Sequence, residues 1–191
     1  LSGRAGRTGK PATVYFQTYN NDAKMISDLT NSNPDIFLDK ELNIRKQNSS
    51  INFKLDLNEI LKILKKNKKI GRIIGGYYSY NHEIDVANIL KKLENKNYNI
   101  SLPRIKKNSQ MDFFNWSTKD PLSINKYGIP EPTSNKVVYP NILLVPLVAF
   151  DKYLNRIGYG GGFYDRYIKK LKKNKKIITI GLAYSCLLYT S

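Results

Sequence analysis

A chain of 191 residues, 41% of them hydrophobic, can hold one ordinary α/β domain with a real core, and none of its apolar runs reaches the length of a membrane span. Its single cysteine, Cys186, excludes an internal disulfide, and without a charged-then-apolar leader the chain reads as a soluble protein of the reducing cytoplasm. The formal charge of +17 invites a nucleic-acid partner, but the lysines come as short pairs (Lys65-Lys66, Lys106-Lys107, Lys172-Lys173) amid abundant asparagine and isoleucine. Such a diffuse pattern reads as solvated surface, so neither nucleic acid nor membrane is expected as a partner, although a basic surface still attracts polyanionic ligands.

The first ten residues, Leu-Ser-Gly-Arg-Ala-Gly-Arg-Thr-Gly-Lys, resemble the last motif of superfamily 2 helicases, where paired arginines reach the nucleotide's γ-phosphate; Arg4 and Arg7 fall at those positions. Residues 14–20 and 41–46 are similar to the primosomal replication-restart helicase. The Walker-type loop and metal-binding carboxylates of such a motor are missing. Residues 1–48 are therefore expected to be a helicase-like fragment, not an independent domain, joined to a different protein. The run Ile44-Arg45-Lys46-Gln47-Asn48-Ser49 is the expected junction, with a second unit over 49–186.

Asp56 and Glu59 supply an N-cap and a reciprocal acid, after which Leu57, Ile60, Leu61 and Leu64 recur at helical spacing until Lys65 to Lys69 close the helix. Residues 70–78 read as a strand. A second amphipathic helix carries Val86, Ile89, Leu90 and Leu93, and residues 99–102 form the next strand, stopped by Pro103; strand, helix, strand is the unit of a parallel sheet. Met111 to Trp116 alternates as an antiparallel excursion would, and 121–140 reads as loop. Asn141 to Phe150 is apolar without alternation, as in a strand buried on both faces. A helix over 163–171, with Phe163, Tyr167, Ile168 and Leu171 on one side, and a strand over 177–183 complete an α/β fold, a three-layer sandwich around a mainly parallel sheet.

Between that buried strand and that helix lies Arg156-Ile-Gly-Tyr-Gly-Gly-Gly-Phe-Tyr-Asp-Arg166. Glycines at 158, 160, 161 and 162 permit positive φ and close approach of amides to a bulky anion. They lead into a helix N-terminus, where the macrodipole favours negative charge. Arg156 and Arg166 bracket the stretch, and Asp165 offers a hard oxygen suited to Mg²⁺. A glycine-rich turn is the plainer reading, and neither the P-loop nor the dinucleotide fingerprint fits. The preceding buried strand favours a nucleotide-phosphate site, since parallel sheets bind ligands beyond the carboxyl ends of their strands.

Residues 145–151 (Val-Pro-Leu-Val-Ala-Phe-Asp) followed by 155–166 (Asn-Arg-Ile-Gly-Tyr-Gly-Gly-Gly-Phe-Tyr-Asp-Arg) resemble the signature of the 5-formyltetrahydrofolate cyclo-ligase, or methenyltetrahydrofolate synthetase, family. Residues 78–85 (Tyr-Ser-Tyr-Asn-His-Glu-Ile-Asp), 101–104 (Ser-Leu-Pro-Arg) and 128–132 (Gly-Ile-Pro-Glu-Pro) agree in order and spacing, so the resemblance runs from about residue 50 to about 186.

The resemblance implies a Rossmann-like core and an ATP-dependent ligase of one-carbon metabolism. ATP phosphorylates the formyl oxygen of 5-formyltetrahydrofolate, N10 attacks the activated carbon, and phosphate leaves, giving 5,10-methenyltetrahydrofolate and ADP. It implies ATP contacts from Arg156, Gly158, Tyr159, Gly160, Gly161, Gly162, Phe163 and Tyr164, with Arg45 and Lys46 as further candidates, and catalytic roles for Arg156 and Tyr164. Folate contacts fall on Tyr78, Glu83 and the stretch Tyr159 to Phe163, and Mg²⁺ on Asp165. Trp116 is a weaker candidate that core packing explains equally well, and His82 reads as a loop residue.

The family's pattern also has a second acidic Mg²⁺ ligand further on, so the unit is expected to be truncated at its C-terminus, with ATP affinity impaired or turnover lost. Residues 187–191, Leu-Leu-Tyr-Thr-Ser, resemble the translation of a sequencing adapter. A monomer is expected. Two other readings remain: a helicase-derived nucleic-acid-binding fragment, and a nonenzymatic nucleotide- or sugar-phosphate-binding module on the same core.

Overall fold

The computed structural model describes residues 57–67, 69–80, 83–107, 110–151, 156–182 and 188–189. Arg45, Lys46, His82, the N-cap at Asp56 and the expected helicase-like fragment lie outside these residues, as does the junction at residue 48.

Helix α1 (Leu57–Lys66) buries Ile60 and Leu64, one turn apart, with Leu57, Leu61 and Ile63 packed beside them. Strand β1 (Ile73–Gly75) is shorter than the expected run over 70–78. A Cβ at Gly75 would lie 2.6 Å from Leu143 Cδ2 and 2.7 Å from Phe113, so β1 meets its neighbours most closely there. The chain then leaves the sheet, because the buried hydroxyl of Tyr77 donates to Ile84 O at 2.9 Å and ties 77–84 into a loop. Helix α2 (Ala87–Glu94) follows and buries Ile89, Leu90 and Leu93.

Strand β2 (Asn99–Ile105) runs through Pro103 rather than stopping there. It pairs with the antiparallel strand β3 (Met111–Asn115), the excursion expected from the alternation. The Trp116 N–H bonds Ile100 O and the Lys106 N–H bonds Gln110 O, which places Pro103 opposite Phe113 at a position whose N–H would point away from β3. β1, on that other side, has already ended opposite Ser101, so the missing donor leaves no gap in a ladder.

The expected loop over 121–140 holds three short strands, β4 (Leu122–Ile124), β5 (Pro130–Pro132) and β6 (Val137–Val138). β4 and β5 form an antiparallel hairpin closed at Gly128, whose φ is 77°, and β6 extends the main sheet beyond β3. Their prolines mask them in sequence. The expected strand over 141–150 divides into β7 (Ile142–Pro146) and β8 (Ala149–Asp151), with Pro146, opposite Leu182 of β10, the last residue of β7. β8 pairs in parallel with β11 (Leu188–Tyr189) and antiparallel with β9 (Arg156–Ile157). Helix α3 (Phe163–Asn174) and strand β10 (Ile178–Leu182) come last, the helix a turn longer than expected.

The main sheet has the order β10-β7-β1-β2-β3-β6, and its first four strands are mutually parallel. Alternate residues of β7 divide its two faces. Ile142 and Leu144 join α1 and α2 in one core, while Leu143 and Val145 join Met111, Phe113 and the α3 residues Tyr167 and Leu171 in the other. The result is three layers. Each fully buried Leu or Ile removes enough apolar surface to contribute about 2 kcal/mol.

One consequence of the order positions everything that follows. From β1 the chain crosses through α2 to β2 on one side; from β7 it crosses through α3 to β10 on the other. β1 and β7 are neighbours, so the sheet reverses its direction of winding between them, and the loops leaving their carboxyl ends part there. Such a switch point opens a crevice.

Candidate functional site

The first wall of the crevice leaves β7. After β8, the arm β9 lies opposite it, with Phe150 facing Arg156, and delivers the chain to the glycines. Gly160 and Gly162 have φ of 84° and 62°, conformations that side chains disfavour by about 1 kcal/mol or more. Gly162 is the left-handed N-cap of α3, and the residues after it are right-handed. A left-handed residue ahead of right-handed ones turns successive N–H groups towards one point, which makes a nest for an anion. Gly162 has no side chain with which to cap the helix, and the helix dipole favours an anion at the first-turn amides of α3. Gly160 and Gly161 are exposed, and a Cβ at Gly160 would meet nothing within 4 Å.

Two arginines flank the turn. The Arg156 side chain is only 14% exposed, donates from Nη2 to Asp165 Oδ1 at 2.6 Å, and lies 5.8 Å from the centre of the Tyr164 ring. Arg166 donates from Nη2 to Gly161 O at 2.6 Å and lies 5.6 Å from the Phe163 ring. Phe163 and Tyr164 in turn pack against the core of Met111, Phe113, Leu143 and Val145, the Tyr164 ring edge-on to Phe113 at 6.4 Å. The loop is thereby anchored to the sheet by its first helical turn.

The second wall leaves β1. Glu83 closes a tight turn: its N–H donates to Tyr80 O at 3.0 Å, and the Tyr80 N–H donates to its Oε2 at 3.1 Å. Tyr78 and Tyr80 stand exposed on this loop, as Tyr159 does on the glycine loop.

The Tyr164 hydroxyl is buried with no hydrogen-bond partner among the described residues. Burial holds that phenol far above its ordinary pKa, the carboxylate of Glu83 raises it further, and the guanidinium of Arg156 pulls the other way. The hydroxyl therefore stays protonated and able to donate at neutral pH.

Among the described residues no three metal-binding side chains converge. Asp165, 60% exposed, is the one carboxylate in the first turn of α3, and Arg156 already engages it. A lone carboxylate fits Mg²⁺ that arrives on phosphates and keeps most of its water, and does not make a self-standing cage.

Of the expected residues, Tyr78 and Glu83 lie on the loop that leaves β1, and Arg156, Gly158, Tyr159, Gly160, Gly161, Gly162, Phe163, Tyr164 and Asp165 on the stretch that follows β7, its neighbour in the sheet. Trp116 is excluded from the crevice: its N–H bonds Ile100 at the start of β2, at the opposite end of the sheet, and its ring packs on the core. Two sequence blocks prove to be one structural unit. Arg104 donates to Pro132 O at 3.1 Å and Ser134 O at 2.6 Å, lies 4.0 Å from Glu131, and stacks 4.1 Å over Phe114, fastening the β4–β5 hairpin to β2. Sequence reasoning missed Tyr77, which is buried where Tyr78 and Tyr80 are exposed; nothing in the sequence marks which of the three tyrosines turns inward.

The family model described as the 5-formyltetrahydrofolate cyclo-ligase family matches residues 39–190. A curated 5-formyltetrahydrofolate cyclo-ligase of Haemophilus influenzae is 39% identical over 117 residues, covering 58% of this chain and 62% of its own. That of Escherichia coli K12 is 32% identical over 117 residues, covering 58% and 64%. The match thus spans less than two thirds of either relative. Among solved structures, a 5,10-methenyltetrahydrofolate synthetase from Aquifex aeolicus superposes with a TM-score of 0.60 at 23% identity, covering 87% of this chain and 81% of that one. One from Mycoplasma pneumoniae gives 0.54 at 18%, covering 88% and 85%. At these identities the likeness is one of fold.

Proposed function

Because the chain belongs to the 5-formyltetrahydrofolate cyclo-ligase family, we propose that its crevice takes 5-formyltetrahydrofolate and ATP and yields 5,10-methenyltetrahydrofolate, ADP and phosphate. An amide-like formyl oxygen is a weak nucleophile and, unmodified, a poor leaving group. Transfer of the γ-phosphoryl group to that oxygen makes it leave as phosphate once N10 has attacked the formyl carbon and closed the ring. Nothing in this sequence requires a covalent bond to the protein; it requires positioning and stabilised charge.

The chain's own groups suit those tasks. The amides from Gly160 to Tyr164 cradle the phosphates, and Arg156, beside them, balances charge that develops during transfer. Glu83 accepts hydrogen bonds from the amino-pyrimidine edge of the pterin, and the rings of Tyr78 and Tyr159 lie against its flat face. The buried Tyr164 hydroxyl, on a ring beside Arg156, donates to an oxygen at the junction of the two substrates. Asp165 would hold a divalent cation carried in by the nucleotide, which supplies further charge neutralisation when bound.

The observation that carries this reading is that the loop bearing Glu83 and the arm bearing Arg156, which lies beside Tyr164, follow neighbouring parallel strands at the switch point of the sheet. It is tested by separating the substrates. Glu83→Gln should raise KM for 5-formyltetrahydrofolate by about tenfold or more and leave KM for ATP near its original value, as expected for one charge-assisted hydrogen bond; Arg156→Gln should weaken ATP selectively. Equal effects of either change on both substrates would remove these residues from separate walls.

A further inference from the structure

We propose that Arg166 is a positioning residue of the glycine loop, pinning the Gly161 carbonyl against α3 and so aiming the Gly162 N–H into the crevice. The inference rests on the nucleotide reading given above, and its geometry lies in four contacts. The guanidinium donates from Nη2 to Gly161 O at 2.6 Å, and the Arg166 main-chain N–H donates to Gly162 O at 3.1 Å. Two successive loop carbonyls are therefore drawn to one residue. Arg166 also lies 5.6 Å from the Phe163 ring, and its Nη1 lies 2.7 Å from where a Cβ on Gly162 would stand.

Peptide geometry converts this clamp into an aim. The peptide between Gly161 and Gly162 is trans, so its C=O and N–H point in opposite directions. Holding the carbonyl on the helix side turns the amide to the other side, towards the point on which the amides of Phe163 and Tyr164 converge. Glycine at 160 and 162 makes the loop able to adopt this shape and equally able to leave it. Arg166 selects among the shapes. Its guanidinium sits over Phe163 and against Gly162, on the carbonyl side of the loop, so it acts on a phosphate through the backbone and is no direct phosphate ligand.

The test uses the full chain as wild type, Arg166→Gln and Arg166→Met. Glutamine keeps an N–H donor for Gly161 and loses the charge; methionine loses both. In the ligand-free proteins, ¹⁵N relaxation of the Gly160 to Gly162 amides should report an ordered loop for wild type and glutamine, and order parameters falling below about 0.6 for methionine. ATP affinity measured by calorimetry should drop about tenfold for methionine and stay within about threefold of wild type for glutamine. Equal losses of affinity in both variants with loop order unchanged would show that the charge meets the phosphates directly, and would overturn the proposal. Unchanged order in Arg166→Met overturns the brace whatever ATP does. A loosened loop with ATP affinity unaltered in all three proteins keeps the brace and overturns the nucleotide reading instead.

Discussion

Gly162 is favoured as glycine by its own φ of 62°, and a Cβ there would also displace the Arg166 guanidinium, 2.7 Å away. Gly162→Ala should therefore weaken ATP binding about tenfold, since a left-handed alanine costs roughly 1–2 kcal/mol and the arginine must move as well. Unaltered affinity by calorimetry would show that the amide's direction does not matter. Tyr164 makes the opposite case, a group whose present state is unfavourable. Its buried hydroxyl has no partner among the described residues, and such a group destabilises a fold by about 1–3 kcal/mol. Tyr164→Phe should raise the urea midpoint while lowering kcat; a fall in the midpoint with kcat unchanged would mean that the hydroxyl serves folding rather than the substrates. The glycines were legible in the sequence because only the backbone calls for them. The orphan hydroxyl was not, because Tyr164 reads as an ordinary aromatic at the start of an amphipathic helix, and its burial depends on packing against Phe113, 51 positions away in the chain.

Elements with a single apolar rhythm could be read directly: α1, α2, β10 and the antiparallel β3 stand where their patterns put them. The misreadings at Pro103 and in the hairpin of β4 and β5 share one cause. Proline removes a donor without forbidding an extended chain, so whether it ends a strand depends on which neighbour the lost N–H would have met. The docking of α3 onto β3 illustrates what the pattern also omits. Asp112 on β3 receives Lys106 at 2.6 Å and Lys170 of α3 at 3.0 Å. Burial raises the Asp112 carboxyl, and the two lysines more than offset it, leaving it below its ordinary value. A depressed carboxylate stabilises the fold above its unfolded pKa and loses that contribution as pH falls through the folded one. Both lysines are about half exposed, so the contribution is modest. Asp112→Asn should lower stability at pH 7 by up to about 1 kcal/mol, with the two urea curves converging below about pH 4. A gap that persists in acid would assign the effect to packing.

At the scale of the molecule, the winding of the sheet decides where chemistry can occur. Residues 70–105 and 141–182 each read as a strand, helix and strand, but no periodicity tells that β1 and β7 are neighbours or that their crossovers part. That adjacency brings a carboxylate loop and a glycine loop to one crevice, and it is absent from any single stretch of sequence. The formal charge of +17 on the full chain would suit the anionic substrates proposed for it.

No helix among the described residues is long and apolar enough to cross a membrane. The most direct measurement combines the chain with 5-formyltetrahydrofolate, ATP and Mg²⁺, and follows the near-ultraviolet absorbance of the methenyl product alongside release of ADP. The account predicts that both appear together, one ADP for each methenyl group, and that neither appears when the other substrate is withheld. Steady ADP release without the folate, or methenyl formation without ATP, would contradict it.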